Sequence, residues 1–136
     1  MTSDQRIFMS FLDQRRISYT VVEEEFVKIV SRGMNLQQIP ILVYFNSDNA
    51  RIVSLLGMQI ARFNDDNFVV GLGECNDSSS RSDFIRFRLD NDLEVLADYD
   101  MKIRDATFCD DIMEMLSIMA ATVDREAPSL QKAMWS

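Results

Sequence analysis

Apolar residues recur along the chain in two periodicities, one typical of helices and the other of strands. Near the N-terminus they fall on one face of a 3.6-residue period, at Ile7, Phe8, Phe11 and Leu12. Thr2 and Gln5 precede this face at the spacing of a capping box. The pattern predicts an amphipathic first helix that ends near residues 15–16, where two arginines suit the negative end of the helix dipole.

β-Branched and aromatic residues then predict four strands. Strands over 19–22 and 26–31 flank an acidic turn at 23–25, and strands over 39–45 and 51–56 flank the turn formers at 46–49. Pro40 suits a strand start because proline cannot donate to the ladder. The second pair is apolar on both faces, so we expect helices or a second copy of the chain to cover both sides.

The middle of the chain predicts a second helix and a hairpin. Residues 64–66 resemble a helix start, the polar stretch 76–80 ends the helix, and its apolar stripe comprises Phe68, Val69, Leu72 and Cys75. Gly71 and Gly73 weaken this helix or indicate close backbone packing. Alternation over 85–89 and 93–99 predicts a hairpin with a three-residue loop at 90–92, which would place Arg88 opposite Glu94.

A last long helix is predicted to begin at Thr107 and to close at Pro128, with Leu130, Met134 and Trp135 in one or two further helical turns. The resulting order is α-β-β-β-β-α-β-β-α. It predicts one α+β domain over 1–136, with an antiparallel sheet and helices.

Charge and cysteine usage narrow the function classes. The 136-residue chain has a net charge of -8, which disfavours nucleic-acid binding. A helical stripe follows the first residues, so we expect no cleavable leader, and no segment of about 20 apolar residues is present, so no membrane partner is expected. Cys75 and Cys109 are interpreted as buried core thiols, which suits a reducing compartment and predicts a cytoplasmic location.

Candidate catalytic chemistry is sparse. Histidine is absent, which excludes the commonest general base and the commonest zinc ligand. Residues 90–94 superficially resemble a calcium loop and 71–73 a dinucleotide turn, but both lack a required glycine. Asp110, Asp111 and Glu114 could serve a metal-dependent hydrolase, although charge at a helix start explains them. We therefore predict no enzyme activity, no metal and no cofactor.

Two further groups are candidate binding residues. Arg86 and Arg88 could clamp an anion, which keeps a small-molecule sensor open as the alternative function, although pairing with acidic residues across the hairpin explains them too. Met113, Met115 and Met119 could form an adaptable protein-binding surface, or they could pack in the core. These five residues form the candidate partner surface.

Several segments together resemble the YbjN-like family, whose fold is similar to that of type III secretion chaperones. They are FLDQRRISYTVVEEEFV, ILVYFNSDNARIVSLL, ECND, DFIRFRLDNDLEVLADYD and the helix leading into residues 124–128. The resemblance implies a homodimer in which the helix over 65–76 and neighbouring strands meet a second copy, without known enzymatic activity. Family members are described as sensory or regulatory proteins.

The leading hypothesis is therefore a dimeric, non-enzymatic module that binds a peptide or protein, chaperone-like or regulatory. The candidate dimer interface combines the implied helix with the apolar strands: Leu42, Tyr44, Val53, Leu55, Phe68, Leu72 and Cys75.

Overall fold

A computed structural model describes residues 1–46 and 51–135, which form a six-stranded antiparallel sheet and three helices. The elements are α1 (Ser3–Gln14), β1 (Thr20–Val22), β2 (Phe26–Ser31), β3 (Ile39–Asn46), β4 (Ile52–Gly57), α2 (Phe68–Ser80), β5 (Arg86–Leu89), β6 (Val95–Lys102) and α3 (Phe108–Met134). This confirms the predicted α+β class and element order. Most of the predicted turn at 46–49 lies outside the described residues.

The first helix begins as its capping residues predict. The Thr2 hydroxyl accepts a hydrogen bond from the Gln5 backbone N–H at 3.0 Å. The Gln5 side chain is buried and donates to the Glu24 carbonyl at 3.2 Å, so it joins α1 to the β1–β2 turn. Phe8 packs across to Phe45 of β3 with ring centroids 5.7 Å apart. Capping and an apolar stripe therefore seat α1 on the sheet.

The sheet has the strand order β1-β2-β3-β4-β6-β5, and every neighbouring pair is antiparallel. Its registers pair odd positions with odd positions and even with even, so each face carries one parity across the central strands. Odd positions such as Val43 and Leu55 are fully buried. A Cβ built on Gly57 would contact Val123 and Met119 of α3, which places α3 on the same odd face as α1.

The last helix does not close at Pro128, because α3 continues unbroken to Met134. Proline lacks the N–H that would bond the carbonyl four residues earlier, which belongs to Asp124. The Asn35 side-chain amide donates to that carbonyl at 2.9 Å and satisfies it. A tertiary hydrogen bond therefore offsets a local break, and Leu130 is buried as part of the same helix.

The second helix starts later and faces differently from its prediction. Asn64 lies in a preceding turn, where its side chain accepts from the Asp66 and Asn67 N–H groups, and α2 begins at Phe68. The helix continues through the polar stretch to Ser80. Its buried positions are Gly71, Cys75 and Ser78. The predicted apolar stripe is therefore wrong for its first three members, which lie exposed.

The β5–β6 hairpin confirms the predicted parity but not the predicted loop. Leu89 pairs with Val95, so the connection has five residues, which is still an odd number. Arg88 lies opposite Leu96 instead of Glu94. Leu93 adopts a φ of 62°, and its N–H bonds the Asp90 carbonyl at 3.0 Å. Glu94 forms an isolated bridge with Arg62, which draws it away from Arg88.

Candidate protein-interaction surfaces

One side of α2 is exposed and carries no charge. Val69, Leu72, Gly73 and Asn76 follow the i, i+3, i+4, i+7 spacing of one helix face, and we name these four residues the α2 strip. The side chains of Val69 and Leu72 are 68% and 49% exposed. An apolar stripe at this spacing ordinarily covers a core, so its exposure marks a candidate contact surface.

The two glycines of α2 have different surroundings. A Cβ built on Gly71 would lie 2.7 Å from the Phe63 ring, so the close approach of that ring requires glycine. A Cβ built on Gly73 would have no described atom within 4 Å. Neither glycine has a positive φ. Nothing within the described chain therefore requires glycine at position 73, although glycine costs about 1 kcal/mol there relative to alanine.

A side-chain hydroxyl of α2 caps the backbone of the edge strand β5. Ser79 Oγ accepts from the Phe87 N–H at 2.8 Å and donates to the Phe87 carbonyl at 3.2 Å. An edge strand with free N–H and C=O groups would template pairing with another chain. Ser79 occupies both groups of Phe87, which blocks strand addition at this point.

A groove of about 420 Å³ runs between α2 and β5. It is lined by Leu72, Cys75, Asn76, Ser79, Arg86, Phe87, Arg88, Leu89 and Asp98. Leu72 and Asn76 belong to the α2 strip, so the groove connects that strip with the even face of the sheet.

The even face of the sheet carries apolar residues but packs against no helix of the described chain. We name it the open face. Strand registers align its side chains in rows, and the two longest are Val22, Phe26, Tyr44, Ser54 and Asp100, and Thr20, Lys28, Leu42, Leu56, Asp98 and Arg86. A shorter row ends at Lys102, which follows Asp100 on the same face of β6. The Phe26 and Tyr44 rings are 5.3 Å apart. The open face therefore mixes apolar side chains with both acidic and basic ones.

A shallow depression of about 450 Å³ lies on the open face. Its lining combines apolar and charged side chains: Glu25, Phe26, Tyr44, Ser54, Leu56, Arg88, Asp98 and Asp100. Arg88 forms an ion pair with Asp98 at 2.5 Å. Asp100 accepts a hydrogen bond from the Ser54 hydroxyl. Neither Glu25 nor Asp100 forms an ion pair with a residue that the structure describes.

The predicted dimer residues divide between the surface and the core. Phe68 and Leu72 lie exposed on α2, and Leu42 and Tyr44 lie partly exposed on the open face. Val53, Leu55 and Cys75 are buried within the chain, so their placement at an interface was wrong. Their side chains occupy inward positions on β4 and α2, where the chain itself covers them.

The predicted partner surface also needs correction. Met119 is fully buried, and Met113 and Met115 pack against the core, so the methionines of α3 mainly fill space. Arg86 and Arg88 are exposed as expected. Arg88 is engaged by Asp98, and Arg86 lies opposite the same aspartate. An anion would have to compete with that carboxylate, so the arginines form a cross-strand ladder and not a preformed clamp.

The remaining candidate reactive groups, the Asp110 carboxylate and the two cysteine thiols, are paired or buried within the fold. Asp110 pairs with Arg15 at 3.0 Å. Among the described residues, no three Cys, Asp or Glu side chains are grouped closely enough to hold a metal ion. Cys75 and Cys109 are free and buried, and burial raises the pKa of each thiol to about 11. Both thiols are therefore protonated at neutral pH and are weak nucleophiles.

Two acidic residues of α3 form tertiary hydrogen bonds, and the sequence analysis noted their segment only for the family resemblance and predicted no role for them. The Asp124 carboxylate accepts from the backbone N–H groups of residues 34–36, each at 2.9 Å. The hydrogen bond from Leu36, followed by those from its two neighbours, lowers the pKa of Asp124. A Cβ on Gly33 would overlap this carboxylate at 2.1 Å, which explains the glycine there.

The second of these acids, Glu126, is buried between α2 and α3. Arg81 and Arg125 donate to its two oxygens at 2.8 and 3.0 Å. Burial raises the pKa of Glu126, but the hydrogen bonds from both arginines outweigh this effect and lower it. The network orients α2 against α3 and thereby sets which side of α2 faces outward.

Comparisons with known proteins support this architecture at the level of the fold. No known protein family matches the sequence, and no curated protein is similar to it at a significant level. Among solved structures, YbjN from E. coli, proposed to be a transcription regulator, is similar with a TM-score of 0.66 over 90% of this chain and 87% of that chain. The two sequences are 9% identical, so the likeness shows a shared YbjN-type fold. None of the described helices has the length and hydropathy needed to cross a bilayer.

Proposed function

We propose that the chain is a non-enzymatic, homodimeric protein-binding module with a regulatory or chaperone-like role in the cytoplasm. Two copies meet through the α2 strip, and the open face of the sheet receives a partner protein. The observation that carries this proposal is the exposed, uncharged α2 strip with Gly73 at its centre.

Gly73 supports a second copy as the occupant of the strip. A helix-interior glycine that contacts nothing in its own chain is unfavourable, so a contact outside the chain is its simplest physical explanation. Glycine lets two helix backbones approach more closely than side chains otherwise permit, within the 8–10 Å typical of packed helices. Val69 and Leu72 then flank the crossing point and bury apolar area against their counterparts.

The charge distribution favours the same contact. Each copy has a net charge of -8, so two copies repel unless their contact surface is uncharged. Glu74 lies outside the strip, and the exposed Asp77, one turn after Gly73, lies at its border. At physiological ionic strength, charges separated by more than about 8 Å are largely screened. An uncharged strip of several residues therefore allows association that most of this surface would oppose.

Two further observations support binding instead of catalysis. The chain has no histidine, and its best carboxylate candidate, Asp110, is paired with Arg15. The structural neighbour YbjN is itself proposed to be a transcription regulator. Arg88 is paired with Asp98, so no specific observation favours an anion sensor.

Sedimentation velocity over a range of concentrations tests the dimer. The wild type should sediment as a dimer, and Leu72→Glu should sediment as a monomer with unchanged circular dichroism. Ile7→Glu is the matched control, because Ile7 is 51% exposed on α1, far along the sequence from α2. It should remain dimeric. A monomeric wild type, or a dimeric Leu72→Glu variant, would refute the α2 contact.

A further inference from the structure

The first turn of α2 exposes apolar side chains on every side. Phe68, Val69 and Val70 are 37%, 68% and 45% exposed. Successive residues of a helix point about 100° apart, so no single neighbouring element of the chain could cover all three. A helix that is apolar all round is ordinarily buried. The start of α2 is therefore an apolar surface that the described chain leaves uncovered.

The end of α3 meets this turn and adds an exposed tryptophan. The Asn67 side-chain amide, at the N-cap of α2, donates to the Met134 carbonyl at 2.9 Å. Trp135 follows directly, and its backbone N–H donates to the Lys132 carbonyl at 3.2 Å. The Trp135 side chain is 83% exposed, so its ring lies open beside the start of α2. We give the name apolar cap to four residues: Phe68, Val69, Val70 and Trp135.

The α2 strip is too small to hold two copies together by itself. A stable contact between proteins buries about 800 Å² on each partner and involves about 20 residues a side. The strip has four residues, of which only Val69 and Leu72 carry large apolar side chains. Val69 belongs to both the strip and the apolar cap, so the two surfaces are continuous. The cap therefore supplies apolar area that a dimer through the strip requires.

The charged residues beside the apolar cap suit a second copy of the chain. Asp65 and Asp66 lie in the turn before α2, and Arg62 precedes them. Lys132 lies one turn before Trp135 on α3. All four charged side chains are exposed, and none forms an ion pair with a described residue. A two-fold contact joins the same surface of both copies, so a surface that carries both signs of charge can pair with itself.

We propose that the apolar cap completes the contact between two copies and that Trp135 is its main anchor. Tryptophan offers a large apolar ring and is enriched among the residues that dominate the binding energy of protein interfaces. Its burial against the second copy would also bring Lys132 toward the acids of that copy. The inference rests on the proposed dimer and extends its interface from α2 to the end of α3.

Intrinsic fluorescence tests the inference directly, because Trp135 is the only tryptophan in the chain. Indole emission moves to shorter wavelength when protein replaces the surrounding water. The wild-type emission maximum should therefore shift to shorter wavelength over the concentrations at which sedimentation shows dimerisation, and quenching by acrylamide should fall. Leu72→Glu, as a monomer, should keep the long-wavelength emission at every concentration.

Trp135→Ala measures what the ring contributes to the contact. It should weaken the dimer at least about tenfold in sedimentation velocity, as expected for a residue that anchors an interface. Met34→Ala is the matched control, since Met34 is 99% exposed on the loop that the Asp124 carboxylate holds. It should change the dissociation constant by less than about twofold. Both variants should keep the wild-type circular dichroism.

The outcomes separate this inference from the proposed dimer. A dimeric wild type whose emission matches that of Leu72→Glu would overturn the inference and leave the α2 contact intact, as would a Trp135→Ala variant that dimerises as tightly as the wild type. A monomeric wild type would overturn the proposed dimer and the inference together. An emission shift that requires added phosphatidylcholine vesicles and occurs without dimerisation would assign the apolar cap to a lipid surface and overturn the inference.

Discussion

The two glycines of α2 provide a direct test of how this helix is placed. They are separated by one residue in the same helix, and neither has a positive φ, so alanine is compatible with the backbone at both positions. Alanine gains about 0.8–1.0 kcal/mol of helix propensity at each site. Only Gly71 has a neighbour that the new methyl group would strike.

The magnitudes follow from the surroundings of each glycine. For Gly73→Ala nothing opposes the propensity gain, so an isolated chain should become more stable by about 1 kcal/mol. For Gly71→Ala the methyl group would lie 2.7 Å from the Phe63 ring. Such overpacking costs about 1–3 kcal/mol, so the net effect runs from neutral to a loss of about 2 kcal/mol. Propensity cancels in the difference between the variants, which therefore measures the Phe63 contact alone.

Urea denaturation followed by circular dichroism measures these free energies of unfolding. Both substitutions should be made in the Leu72→Glu background, because dimerisation would otherwise add to the apparent stability. A difference of 1 kcal/mol corresponds to roughly 3–5 °C in the melting temperature of a chain of this size. In the background with Leu72 intact, Gly73→Ala should also weaken the dimer, since its methyl group would separate the two helices.

Equal changes in both variants would refute this account of α2, because they would show that Phe63 does not pack under Gly71. Destabilisation of the monomeric background by Gly73→Ala would likewise show that position 73 is not open. A Gly73→Ala variant that is more stable as a monomer and unchanged as a dimer would leave the orientation of α2 intact and contradict only the helix crossing at Gly73.

Three further perturbations test the tertiary hydrogen bonds. Ser79→Ala should destabilise the fold by about 1–2 kcal/mol and speed hydrogen exchange at the Phe87 amide, because a buried N–H loses its acceptor; unchanged exchange would contradict the edge cap. Asp124→Ala should speed exchange at the amides of residues 34–36. The pKa of Asp124 is lower in the folded chain than in the unfolded chain, so its carboxylate stabilises the fold above the unfolded-state pKa. This stabilisation is lost as the pH falls through the folded-state pKa. The stability of Asp124→Ala should therefore depend less steeply on pH in acid than the stability of the wild type. Glu126→Gln should cost about 1–3 kcal/mol in urea denaturation, less than a fully buried pair because its arginine partners are about half exposed, and no loss would show that the network is dispensable.

The strand pattern was the part of the fold that could be predicted best from the sequence. Alternation has a period of two, so parity assigns each strand residue to a face even when the pairing is unknown. This is why the hairpin parity is correct although its loop has five residues and not three. The exact register depended on the bridge between Arg62 and Glu94, which joins residues far apart in sequence.

Helix orientation and helix ends depended on contacts that no local pattern contains. The apolar stripe of α2 would face inward by its composition, but Phe63 packs against Gly71 and the arginines hold Glu126, so the helix turns its apolar residues outward. Pro128 ends a helix by local rules, but Asn35 supplies the missing hydrogen bond. The contacts behind these outcomes join residues that are 8, 45 and 89 positions apart, namely Phe63 with Gly71, Arg81 with Glu126 and Asn35 with Asp124.

The candidate surfaces also depend partly on local sequence and partly on tertiary contacts. By itself the sequence determined that the chain is acidic, lacks histidine and has more apolar strand and helix surface than one face of a sheet requires. Only the tertiary structure decided where that surplus lies: Val53, Leu55 and Met119 are covered by the chain itself, whereas the α2 strip and the open face are not. The physical reason is that hydrophobicity is a local property of each residue, while burial depends on which distant element packs against it.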